Sequence, residues 1–176
     1  MKQIIAFAGS NSSESINKQL TTYAACLVKD VDVKILDLND FELPIYGQDL
    51  HKKEGIPQNA VIFLDLLKKS DGIIISLAEN NGAYSAVFKN LFDWLSVLEQ
   101  KNWLNKPMLL MATSPGARGG QSVLQIALDR FPRHDADIVG TFSLPSFNDN
   151  FLEEKIVNKE LNDELLIEIN KFQISL

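Results

Sequence analysis

The segment Ile4–Leu20, IIAFAGSNSSESINKQL, decides how this chain folds. Gln3–Ala8 is an apolar run of strand length, as expected of a strand covered on both faces. From Ile16 onward apolar residues recur at Ile16, Leu20, Tyr23, Ala24 and Leu27, the spacing of a helix. Between the two lies Gly9-Ser10-Asn11-Ser12-Ser13-Glu14-Ser15, rich in small hydroxyls and free of proline. A helix start needs one capping residue. This loop offers several, so its composition calls for a second explanation.

The same alternation continues along the chain. Val31–Leu36 alternates as a second strand, and a loop runs through Leu43-Pro44-Ile45-Tyr46 to Pro57. Ala60–Lys69 is a helix and Gly72–Leu77 a third, almost wholly apolar strand. Ala86–Gln100 is helical, with Val87, Leu91, Trp94, Leu95 and Leu98 on one stripe and Phe88 and Phe92 on a second. Met108–Ala112 is the fourth strand, Ser122–Phe131 a helix, Ile138–Phe142 the fifth strand, and Glu160–Phe172 a closing amphipathic helix. No linker, repeat or low-complexity segment interrupts the pattern, so residues 1–176 read as one domain. Five short strands alternating with helices make a doubly wound α/β domain, with a five-stranded parallel sheet in the order 2-1-3-4-5 and helices on both faces. A ligand of such a sheet sits beyond the carboxyl ends of its strands, where the order reverses.

Three loops meet that rule: those after Ala8, Leu77 and Ala112. The first places hydroxyls and backbone N–H groups at a helix N-terminus, a pocket for an anion such as phosphate. It is neither a Walker loop nor a G-x-G-x-x-G dinucleotide fingerprint. The second is Leu77-Ala78-Glu79-Asn80-Asn81-Gly82-Ala83-Tyr84-Ser85, and the third Thr113-Ser114-Pro115-Gly116-Ala117-Arg118-Gly119-Gly120. Their glycines admit close approach of a flat ligand.

Bulk properties narrow the function. A net charge of −6 argues against a nucleic-acid surface. The apolar strand begins at the third residue, which is not the layout of a signal peptide, and no apolar run suits a membrane span. The single cysteine fits a cytoplasmic protein, with Cys26 expected as a small buried filler. One cysteine and two histidines, His51 and His134, both expected to be exposed, make a metal site improbable. Lys89, Asn90, Asp93 and Trp94 read as structural, with Lys89 and Asp93 a surface ion pair. No G-x-S-x-G elbow accompanies the serines.

These loops resemble the NADPH-dependent FMN reductase family, which includes quinone, chromate and azo-dye reductases. Gly9, Ser10, Ser15, Asn17 and Leu20 fit its first motif. AENNGAYSAVFKNLFDW fits its second at Glu79, Asn81, Gly82, Lys89, Asn90, Asp93 and Trp94. Ser114, Gly116, Gly119 and Gly120 fit its third. The resemblance implies a flavodoxin-like fold, bound FMN, NADPH or NADH as co-substrate, and hydride transfer by way of the flavin to a quinone, dye or other small acceptor. It implies phosphate contacts from Ser10, Ser12, Ser15, Ile16 and Asn17. The ring would lie against Ala78, Glu79, Asn80, Asn81, Gly82, Ser114, Gly116 and Gly119, with Arg118 a further cofactor-binding candidate. No side chain is assigned an acid–base role, since the cofactor carries the chemistry. Arg118 faces two readings, a phosphate contact of the nicotinamide cofactor or a solvated side chain. The chain departs from the family at Ser12, where an arginine is usual, at Glu14, where glycine is usual, and at Asn80, where tyrosine is usual. An electron carrier of flavodoxin type, or a non-enzymatic domain with a degenerate flavin site, are the alternatives. The resemblance also implies a homodimer or homotetramer, and Phe88 with Phe92 supplies a candidate interface.

Overall fold

The computed structural model describes residues 1–176. Five parallel strands form the sheet: β1 (Lys2–Gly9), β2 (Val31–Leu36), β3 (Gly72–Asn80), β5 (Pro107–Thr113) and β6 (Asp137–Leu144), in the order β2-β1-β3-β5-β6. A two-residue strand, β4 (Ala83–Tyr84), folds back on the end of β3 and lies off this path. Counting the parallel strands alone, the order is the 2-1-3-4-5 expected from the sequence. The structure is α/β and flavodoxin-like.

The central strands owe their continuous apolar runs to burial on both sides. Ile5, Phe7, Ile73, Ile75, Met108 and Leu110 point to one face. They pack there with α3 (Gln58–Lys69), α4 (Ala86–Leu98) and α5 (Gln121–Arg130). Ile4, Ala6, Ile74, Leu109 and Met111 point to the other, covered by α1 (Ile16–Cys26) and α7 (Lys159–Ser175). The edge strand β2 alternates exposed and covered residues from Val31 to Lys34 and carries Asp32 and Lys34, charges that blunt an open edge.

Several expectations need correction. The loop from Leu43 to Pro57 contains a short helix, α2 (Gln48–Glu54), in which no residue is buried, so no apolar period marks it. A four-residue helix, α6 (Phe147–Asn150), and a small hairpin, β7 (Phe151–Leu152) with β8 (Lys155–Ile156), follow β6. Phe88 and Phe92 do not face outward. They are 1% and 5% exposed, inside an aromatic cluster with Tyr84, Trp103 and Phe131 from the same chain. The helix carries two apolar stripes because Phe88 and Phe92 pack on Trp103, Phe131 and His134, while Trp94 packs on Tyr46 and His51. His134 is buried too: its Nδ1 lies 2.8 Å from the carbonyl of Gln100 and its ring meets Phe92. Cys26, at the last turn of α1, is exposed rather than a core filler.

The structural roles read for α4 hold. Lys89 and Asp93 pair at 2.7 Å on the surface. Asn90 accepts from Tyr46 N and donates to the carbonyls of Leu43 and Pro44, and Trp94 Nε1 also donates to Pro44. Those residues pin the loop after β2.

Candidate functional site

The three loops leave the sheet from one row of residues. Gly9 pairs with Leu77, and Leu77 with Ala112. Every loop named from the sequence therefore starts at the same level of the carboxyl edge.

In the first loop the backbone turns on its own serines. Ser12 N donates to Ser10 Oγ, Glu14 N to Ser12 Oγ, and Ser15 Oγ caps α1 by accepting from Lys18 N. The hydroxyl protons of Ser10 and Ser12 stay free for an outside acceptor. So do the N–H groups of Ser13, Ile16 and Asn17, which find no acceptor in the chain. Donors converging at the positive end of a helix suit a phosphate. No cation joins them. The Lys18 ammonium pairs with Asp37, at the end of β2. That bond, with the N–H of Asn39, holds the Asp37 carboxyl below the usual carboxylate range. Glu14 is exposed. The residues present fit the phosphate of FMN through N–H and hydroxyl donors alone.

The side chain of Asn17, a residue expected among the phosphate contacts, is engaged within the chain. It is 3% exposed, and its amide is committed to the sheet. Oδ1 accepts from Ser76 Oγ at 2.7 Å and from Thr113 N at 3.1 Å, while Nδ2 donates to Thr113 O at 3.2 Å. Asn17 thus clamps the start of α1 to β3 and β5, leaving its backbone N–H for the loop. Ser85 makes a second clamp: its hydroxyl donates to Gly9 O at 2.7 Å and caps α4 at Phe88 N. Sequence reasoning missed Ser76, Ser85 and Thr113 as partners. Ser76 left a signal, a lone hydroxyl within the apolar run Gly72–Leu77.

The second loop is a tight hairpin. Asn81 and Gly82 have φ of 51° and 75°, the two positive angles of the Asn-Gly turn that joins β3 to β4. Asn80, Asn81 and Ala83 are exposed, and Ala78, Glu79 and Gly82 half-buried. Tyr84 turns inward, where burial pushes its hydroxyl above the ordinary phenol range. The carboxylate of Glu79 accepts from Val123 N at 3.0 Å, so it faces α5.

The third loop is backed by the chain after β6. Ser146 N donates to Gly116 O and Phe147 N to Ser114 O, and Ser143 Oγ donates to Gly119 O. Gly119 is buried with φ of 57°, and a Cβ there would lie 2.5 Å from Ser143 Oγ and 2.9 Å from Leu144 backbone. Its part is this close approach. Ser114 is half-buried; Pro115, Gly116, Ala117 and Arg118 are exposed. Arg118 donates to Ser122 Oγ at 3.2 Å and, with Gly82, lines a groove of about 1220 Å³ whose other walls come from α4, α5 and β6. The sequence-derived residues therefore assemble at one edge. Ser12, Asn80, Asn81, Gly116 and Arg118 are exposed, and Ser10, Ile16, Ala78, Gly82 and Ser114 half-buried. Ser15, Asn17, Glu79 and Gly119 hold the loops.

The family model of the NADPH-dependent FMN reductases matches residues 2–149. This chain belongs to that family. It is 32% identical over 79 residues to a quinone reductase of Escherichia coli strain K12; the match covers 45% of this chain and 42% of that protein. The chain thus spans less than half the length of that relative. A quinone reductase of Pseudomonas putida is 30% identical over 125 residues, 68% of this chain and 66% of that protein. Among solved structures, the flavoenzyme NAD(P)H:(acceptor) oxidoreductase FerB from Paracoccus denitrificans superposes with a TM-score of 0.75 at 19% identity, covering 99% of both chains. Oxidised flavodoxin 1 from Bacillus cereus gives 0.65 at 13% identity, covering 100% of this chain and 99% of that one. At those identities the two structures establish the fold. No helix is long and apolar enough to cross a membrane.

Proposed function

We propose that residues 1–176 form one flavodoxin-like domain that binds FMN and passes reducing equivalents from NADPH or NADH to a quinone, a dye or another small acceptor. The observation that carries this reading is the convergence of three loops on one row of strand ends, one of them rich in free N–H and hydroxyl donors. Membership of the family and the quinone reductases among its relatives support it. When bound, the flavin supplies two-electron chemistry; the chain binds it, orients it and leaves a face open to the second substrate. Ser10 and Ser12 hydroxyls and the N–H groups of Ser13, Ile16 and Asn17 would hold the phosphate. The Ala78–Gly82 hairpin and the Ser114–Arg118 segment would flank the ring. Exposed Arg118 would attract a phosphate of the nicotinamide cofactor.

A cytoplasmic location, read from the single cysteine, and a homodimeric or homotetrameric state, implied by the family resemblance, belong to the same proposal. The α4 phenylalanines no longer argue for the dimer, because they are buried within one chain.

The test is steady-state turnover of the FMN-loaded protein with NADPH and a water-soluble quinone, without any protein partner. The expected result is turnover with parallel lines in double-reciprocal plots, since product leaves before the acceptor enters. A strict need for a partner protein would make the chain an electron carrier instead.

A further inference from the structure

Helix α5 has no cap of its own. Its N-cap residue is Gly120, with φ of 76°, and a Cβ at that position would lie 3.0 Å from the Ala112 Cβ. Serine, threonine and aspartate, the usual caps, are therefore disfavoured where the helix starts. The N–H that such a cap would serve belongs to Val123, three residues on. It donates instead to Glu79 Oε2, 44 residues earlier in the chain, at 3.0 Å.

Glu79 is well placed for this. It sits on the last stretch of β3, opposite Tyr84 in the hairpin ladder, and the Asn81-Gly82 turn closes just beyond it. Its carboxylate lies at the positive end of a ten-residue helix, where a negative charge is favourable. Arg118, one turn before, bonds Ser122 rather than this carboxylate. The bond thus joins the second loop to the helix that the third loop feeds.

We propose that Glu79 is a positioning residue. Its carboxylate is a strut that fixes the Ala78–Tyr84 hairpin against the Ser114–Gly120 loop, and so sets the gap in which a flavin ring is held. This inference rests on the FMN reading above and replaces a direct flavin contact for Glu79. The reach of the side chain matters as much as its oxygen: aspartate is one methylene too short, whereas glutamine keeps both reach and an acceptor oxygen.

The experiment compares Glu79→Ala, Glu79→Asp and Glu79→Gln by two readouts. Amide hydrogen exchange of the Gly119–Leu124 segment is followed in the flavin-free protein. FMN affinity and the shape of the visible flavin spectrum are followed by titration. In Glu79→Ala and Glu79→Asp the segment should exchange about tenfold faster or more. FMN should bind about tenfold more weakly, with an altered spectrum. Glu79→Gln should keep both within about threefold and restore the spectrum. Unchanged exchange in the alanine and aspartate variants overturns the strut. Faster exchange with undiminished FMN affinity overturns its role at the site. Loss of FMN affinity in Glu79→Gln with unchanged exchange makes Glu79 a direct ligand and also overturns the proposal. If the unmodified chain binds no FMN, the functional reading fails and the positioning role with it, while the exchange data still report whether the strut exists.

Discussion

Phe92→Ala will lower stability by about 3–5 kcal/mol, the range for removing a buried phenylalanine. The ring is 5% exposed and lies with its centroid 4.9 Å from that of His134, 5.4 Å from Phe131 and 5.7 Å from Trp103. Phe88 stacks on it at 6.0 Å and continues the column to Tyr84. These partners come from three separate stretches of the chain, so the void left by alanine cannot close by moving one side chain. Against a total stability of about 5–15 kcal/mol, the variant should stand close to unfolding. Urea denaturation followed by circular dichroism measures it. A loss below about 1 kcal/mol would show that the ring contributes little to this chain's core, as expected of a residue facing a second copy.

Asn17→Ala should weaken both the fold and the flavin site. The substitution removes three bonds and leaves Ser76 Oγ, Thr113 N and Thr113 O without their partner at the buried centre of the sheet edge. Each orphaned group costs about 1–3 kcal/mol when it stays dry. Their effects overlap, so a loss of about 3–4 kcal/mol is expected in total. Asn17→Asp keeps the acceptor oxygen but sets a carboxylate against the Thr113 carbonyl, so it should not rescue the loss. Because α1 is clamped through this residue, the free N–H groups of its first turn lose their fixed direction. FMN affinity should fall with stability, and calorimetry on both variants reads both quantities. A change below about 1 kcal/mol would mean that the clamp is dispensable.

The fold was legible where a strand had to be apolar on both faces and a helix on one. Gln3–Ala8, Gly72–Leu77 and Met108–Ala112 could hardly be anything but central strands, and the ligand-binding edge followed from their order. The short elements were not legible. Helix α2 buries nothing, and the β3–β4 hairpin is two residues deep, although Asn81-Gly82 is the turn signal that could have found it. Phe88 and Phe92 misled for a related reason: a helix stripe counts apolar residues, whereas the neighbours it meets depend on distant aromatics, here Trp103, Phe131 and His134. At the site, composition located the loops but did not assign their members. The side chains of Asn17 and Glu79 have the chemistry of ligands, yet both bond backbone groups of neighbouring elements. Only the pairing of distant residues, Asn17 with Thr113 and Glu79 with Val123, reveals that division.

The central claim is that the serine-rich first loop is a phosphate cradle for FMN. Isothermal titration calorimetry of the purified chain with FMN, riboflavin and FAD tests it most directly. The account predicts that FMN binds tightest, with riboflavin, which has no phosphate, weaker by about tenfold or more. FAD should also bind more weakly, because its phosphate is joined to a second nucleotide. Equal affinity for riboflavin and FMN, tighter binding of FAD, or no binding of any flavin would contradict it.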